Sequence, residues 1–176
     1  MILPNLFRQP TVVRVRPLTE PQIRASFVNC TKGEAKRLNV PRDLADRPWD
    51  DLDYLGWSDP QAPTRRYLVA EVDGATYGVV LRINEASVGA ARRSMCSLCI
   101  TVQSGGVSLM VAPRAGKAGQ QGNSVGTYIC SDLACSLYVR GKLRTGTPGM
   151  HETLTVEQRA TRLVANLESF VAKVRA

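Results

Sequence analysis

Five cysteines stand in the chain, and four of them fall into two close pairs. Met95-Cys96-Ser97-Leu98-Cys99 carries a C-x2-C spacing, and Cys130-Ser131-Asp132-Leu133-Ala134-Cys135 carries C-x4-C. Together they supply four thiolates, a ligand set that encloses a tetrahedral Zn2+. Each pair can place its two sulfurs on one ion, at roughly 2.3 Å, only if the intervening backbone turns tightly. A closed four-cysteine site leaves no open coordination position, so Cys96, Cys99, Cys130 and Cys135 are expected to hold one structural zinc ion. Two disulfides would use the same residues, but nothing in the chain indicates secretion, and cytosolic thiols stay reduced. A redox C-x2-C would need a thioredoxin-type context and would have no use for the second pair. An iron–sulfur cluster also takes four thiolates, and spacing alone leaves it open.

The elements around the cysteines read in a definite order. Ser97-Leu98 fits a short knuckle, and Ser131-Asp132 offers helix-start chemistry at the second pair. Between the pairs, Val107–Val111 and Val125–Ile129 read as strands around a Gly-rich turn, and Leu133–Val139 reads as a short helix. Knuckle, hairpin and a helix carrying the second pair is the order of a treble-clef zinc finger, placed here at about residues 91–145. Upstream, Thr19-Glu20-Pro21-Gln22 and Thr31-Lys32-Gly33-Glu34 both have capping-box chemistry, and each predicts a helix, the second ending before Pro41. Arg66–Val72 and Thr76–Ile83 predict a β-hairpin turning at Asp73-Gly74. The segment Trp49–Trp57 holds both tryptophans and reads as a loop anchored onto a core. Asn84–Ser94 is a small-residue connector with Arg92-Arg93 near its end. Thr155-Val156-Glu157-Gln158 starts a last helix, and Leu163, Leu167, Phe170, Val171 and Val174 give it an apolar stripe.

The fold class expected is therefore α+β. N-terminal helices and a β-hairpin lead into the treble-clef finger, and an amphipathic helix at about 155–175 closes the chain. Residues 1–16 form an N-terminal arm, with Thr11–Val15 a short strand or an extended stretch, and residues 17–176 form the domain. The 176 residues, 44% hydrophobic and 22% charged, suit one globular unit. No apolar run is long enough for a transmembrane helix, and no signal peptide is indicated, so the cytoplasm is the expected location. Cys30 has no second thiol or histidine beside it in sequence, so it reads as a buried free cysteine. His151, the sole histidine, sits in a polar linker and reads as an exposed residue without a ligand role. With one histidine, a closed metal site and no phosphate loop, no catalytic set is apparent, and the chain reads as not an enzyme.

Charge is unevenly spread along a chain of net charge +8. From Ala91 to Thr145 there are seven Arg or Lys and a single acid, Asp132, whereas Arg42–Asp59 holds six aspartates against two arginines. A basic finger invites a polyanion or an acidic protein surface. Arg114, Lys117, Arg140 and Lys142 are the candidate partner contacts, chosen by position and charge.

One family matches these residues. Tyr54-Leu55-Gly56-Trp57-Ser58-Asp59, Arg66-Tyr67-Leu68-Val69, Met95–Cys99, Val107-Ser108-Leu109 and Gly126-Thr127-Tyr128-Ile129-Cys130 with Cys135 resemble the FusB-type elongation-factor-G-binding proteins. The likeness is to their C-terminal treble-clef zinc-finger domain and its stand-alone actinobacterial relatives, and it covers roughly Pro17–Val174. It implies a cytoplasmic protein that binds elongation factor G and promotes its departure from the ribosome, with fusidic acid resistance in some members. Cys96, Cys99, Cys130 and Cys135 are the residues it carries over, as zinc ligands. Before Cys130 the chain has Gln120-Gln121-Gly122-Asn123-Ser124, less basic and less aromatic than the family's contact surface. The other partner considered is ribosomal RNA or the ribosome itself, held through phosphate contacts of the basic finger.

Overall fold

Three reciprocal caps seed the helices where the sequence places them. The Thr19 and Thr31 amides donate to the side chains of Gln22 and Glu34, at 2.8 and 2.9 Å, and open α1 (Glu20–Ser26) and α2 (Lys32–Arg37). Thr155 does the same with Gln158 and opens the last helix, Val156–Arg175. Each cap satisfies amides that would otherwise be orphaned in the first turn. The computed structural model describes residues 14–84, 93–104, 106–145 and 152–176. Most of the arm, Arg92 and His151 lie outside the described residues.

The strands are β1 (Tyr54–Ser58), β2 (Arg65–Val72), β3 (Ala75–Ile83), β4 (Arg93–Met95), β5 (Val102–Ser104), β6 (Val107–Pro113) and β7 (Ser124–Cys130). The predicted hairpin is β2–β3, turning at Asp73 (φ 51°) and Gly74 (φ 75°) as a two-residue turn of matching twist requires. The second predicted hairpin is β6–β7, and its Gly-rich turn is a helical one, α3 (Gly116–Gln120). Three strands, β1, β4 and β5, were not expected. The Trp49–Trp57 segment starts as a 3-10 turn and then becomes β1, which pairs antiparallel along β2. The main sheet runs β1-β2-β3-β6-β7, all antiparallel, and β4–β5 forms a separate ribbon between β3 and β6 in sequence.

The sheet is buried on both faces over β1–β3, so these strands read as near-continuous apolar runs. One face carries Tyr54, Leu68, Ala70, Val79 and Leu81, which pack with the four paired cysteines and the last helix in a single core. The predicted stripe of that helix, Leu163, Leu167, Phe170, Val171 and Val174, is buried throughout. The opposite face carries Leu55, Trp57, Tyr67, Val69 and Val80, covered by Val15, Leu18, Ile23 and Leu38 from the N-terminal segments. The two indoles anchor as expected, Trp49 Nε1 donating to Leu44 O and Trp57 Nε1 to Asn39 O, both at 2.8 Å.

β3 and β6 pair at Arg82–Val111 and Ile83–Met110, and Asn84 N donates to Leu109 O at 3.0 Å on the far side of those rungs. On the other side the Asn29 carboxamide stands in for a strand. Its Oδ1 accepts from Val80 N at 2.8 Å, and its Nδ2 donates to Val80 O and Pro113 O at 2.9 and 3.0 Å. Among the described residues, no helix is long and apolar enough to cross a membrane.

Candidate metal centre

Each cysteine pair is positioned by a backbone turn and by hydrogen bonds from neighbouring elements. In the first knuckle, Ile100 N donates to Cys96 O and Cys96 N to Thr101 O, at 2.9 and 3.0 Å. Ser97 N donates to Tyr128 O of β7, which ties the knuckle to the sheet. Asn166 Nδ2, on the last helix, donates to Leu98 O at 2.9 Å and fixes the other side. The second pair is split between the end of β7, which supplies Cys130, and the start of α4 (Cys135–Val139), which supplies Cys135. The expected helix-start chemistry is not what caps α4: the helix begins later, with Ala134 at its N-cap and no side-chain cap, and Asp132 Oδ1 instead accepts from Ala134 N at 3.0 Å within the preceding turn. Both turns use a left-handed residue that is not glycine, Ile100 (φ 60°) and Leu133 (φ 58°). That conformation costs about 1–2 kcal/mol per residue, so the turns are held by what the sulfurs bind and by the packing around them.

The four sulfurs converge. Their Sγ atoms all lie within 4.8 Å of one another, with Cys96–Cys135 at 3.6 Å and Cys99–Cys130 at 3.5 Å. Zinc–sulfur bonds of about 2.3 Å in a tetrahedron demand sulfur separations near 3.8 Å, and the observed cluster fits that figure. All four side chains are buried. Burial, then the hydrogen bonds among the sulfurs, pushes Cys135 well up, whereas bonds from Cys130 and Cys135 hold Cys96 and Cys99 below the ordinary thiol range. Four thiolates this close cannot all ionise in a buried site without a cation to neutralise them, and a dication allows it. The donor set, its spacing and its burial therefore suit one Zn2+, as a closed structural site.

Cys30 is not part of this cluster. It is half-buried, not buried, and packs against the core of the opposite face, at a recess lined also by Thr31, Glu34 and Arg114. Burial, followed by the Glu34 carboxylate, raises its thiol pKa, so it stays protonated at neutral pH. Cys30→Ala is expected to lower stability by about 1 kcal/mol and leave zinc content at one per chain, checked by elemental analysis alongside a denaturant melt. Loss of zinc in that variant would overturn the ligand assignment.

The basic residues of the finger separate into two groups. Arg140 makes a two-pronged ion pair with Asp53, Nη1–Oδ2 2.7 Å and Nη2–Oδ1 2.8 Å, and the two side chains are 8% and 0% exposed. The Arg140 guanidinium also donates to Ser136 O, and Ser136 Oγ accepts from Asp53 N at 3.0 Å. The Asp53 bond, then burial opposing it, leaves Arg140 more firmly charged than usual. Lys142 reaches Asp51 at 2.6 Å with its own side chain 56% exposed. The aspartate-rich segment thus docks on the basic finger, and the two halves of the charge map cancel locally. Arg140 is a structural link and not a free surface cation. Arg114 is half-exposed just before α3, and Lys117 is exposed within it.

Comparison with known proteins agrees with this geometry. No curated protein and no solved structure matches the chain. The model of the FBP C-terminal treble-clef zinc-finger family matches residues 22–174. With that match spanning nearly the whole chain, and with four buried cysteines gathered as the finger requires, the protein belongs to the FBP C-terminal treble-clef zinc-finger family.

Proposed function

We propose that this protein is a non-catalytic cytoplasmic module that binds elongation factor G and modulates its release from the ribosome. The reading rests on the resemblance carried by Tyr54–Asp59, Arg66–Val69, Val107–Leu109 and the cysteine frame, to which the family match over residues 22–174 adds support. The closed sulfur cluster suits a rigid platform rather than a reaction centre. Such a platform acts by binding one conformation of its partner better than another, and it shifts the partner only by that difference in affinity.

Direct binding to ribosomal RNA is the second reading, and net charge favours it. One observation weighs against it. Arg140 and Lys142 are already paired with Asp53 and Asp51, which leaves the finger with fewer free cations for phosphates than its sequence suggests. The test is binding of the wild-type chain, Arg114→Glu and Lys117→Glu to purified elongation factor G and to naked ribosomal RNA across a salt series. Binding to the factor is expected to survive nuclease treatment, and charge reversal at these rim positions mainly slows association. Tight RNA binding that weakens steeply with salt, together with no binding to the factor, would replace this reading with the second.

A further inference from the structure

The four sulfurs have neighbours outside the two knuckles, and two of these are buried hydrogen-bond donors. Gln103, on β5, is 7% exposed, and its Nε2 lies 3.3 Å from Cys130 Sγ. A thiolate only accepts hydrogen bonds, so the carboxamide must present its nitrogen. Its Oε1 end packs tightly over Gly106, where an added Cβ would meet it at 2.0 Å. Tyr54, on β1, is 1% exposed and packs in the core that contains the cysteines. Its ring lies against the second pair's turn: a Cβ added at Gly56 would meet both Tyr54 Cε2 at 3.0 Å and Leu133 Cβ at 2.5 Å. The hydroxyl is buried and has no hydrogen-bond partner among the described residues. A buried hydroxyl without a partner costs about 1–3 kcal/mol.

We propose that Gln103 Nε2–H donates to the Cys130 thiolate and that the otherwise unpartnered Tyr54 Oη–H donates into the same sulfur cluster, and that these two positioning residues set how tightly the protein holds its metal. The physical need is clear. A dication with four thiolates carries a net charge of about −2, and here that charge is buried in an apolar core. Hydrogen bonds from outside the ligand set spread the charge over the sheet and fix the sulfur directions. Partners of this kind typically govern metal affinity by about 10–100-fold. Tyr54 comes from β1 and Gln103 from the β4–β5 ribbon, so the metal's grip depends on the β1–β2 pairing and on the ribbon being in place.

The experiment uses the full chain loaded with Zn2+, and with Co2+ as a spectroscopic probe. Tyr54→Phe keeps the ring and removes only the donor, and Gln103→Met keeps the length and removes the amide. Each is expected to weaken Zn2+ about 10-fold or more in competition with a chromophoric chelator. Each is also expected to move the sulfur-to-cobalt charge-transfer bands to lower energy, a change that loss of packing alone does not cause. Tyr67→Phe is the control. Tyr67 is buried on the other face of the sheet and donates to Asp59 Oδ2 at 2.7 Å, so it should cost stability without changing zinc affinity or the cobalt bands. Unchanged affinity and spectrum in Tyr54→Phe and Gln103→Met, or an equal change in Tyr67→Phe, would overturn the proposal.

Discussion

Cys130→Ser is expected to empty the metal site and unfold the chain at ordinary temperature. A serine hydroxyl does not ionise near neutral pH, so the fourth ligand is lost and the charge balance of the cluster with it. Zinc binding in structural sites contributes on the order of 10–16 kcal/mol, against a total stability of about 5–15 kcal/mol for a typical domain. The loss does not stay within the finger, because Cys130 shares one core with Leu68, Leu81, Met110, Leu163 and Leu167. The left-handed turns at Ile100 and Leu133 would lose what holds them at the same time. Elemental analysis should show less than one zinc per molecule, and circular dichroism should show a lost or strongly lowered transition. Treating the wild type with a strong chelator should reproduce the effect. Full zinc content, or an unchanged melt in the serine variant, would disprove the assignment.

The second large effect is expected at the Asp53–Arg140 pair. Arg140→Met leaves a wholly buried carboxylate without its cation, and breaking such a pair costs about 3–5 kcal/mol. Asp53→Leu strands the guanidinium and should cost a similar amount. The double variant removes both charges and is expected to recover most of the loss, since a buried ion pair is seldom more stable than a packed apolar one. Urea denaturation of the four proteins gives the cycle directly. A single-variant cost below about 1 kcal/mol, the range of a surface pair, would mean the pair is solvated in solution. Zinc content should stay near one per chain in the double variant, which separates this effect from loss of the metal.

Much of this architecture was legible because it is local. The capping threonines lie three residues from their partners, the Asp73-Gly74 turn is a dipeptide, and the last helix shows its buried face in its own spacing. The cysteine frame was legible for a chemical reason, since few arrangements other than a metal centre explain four cysteines so spaced. β1 was not. Its five residues include Gly56 and follow a run of aspartates, and its alternation becomes meaningful only against β2. Gly56 itself has a reason visible only in space, since it leaves room for Leu133 in the second turn. The charge map misled for the same reason. Arg140 and Asp53 are 87 positions apart, and the sequence shows two oppositely charged segments without showing that they meet. Gln103 gave no signal and Tyr54 entered only as part of a family motif, because nearness to the sulfurs from another strand depends wholly on the fold.

The Asn29 carboxamide has a consequence for how this molecule opens. β3 and β6 are zipped at two rungs and the flanking Asn84–Leu109 backbone bond, and on the other side a single side chain bridges the gap to Val80 and Pro113. The sheet is therefore two leaves on a short spine, with the bookmark supplied by the loop between α1 and α2. In native-state hydrogen exchange the Val80 amide does not report on a strand neighbour. It reports on whether that N-terminal loop is docked, so its protection tracks a partial opening that leaves the remaining ladders closed.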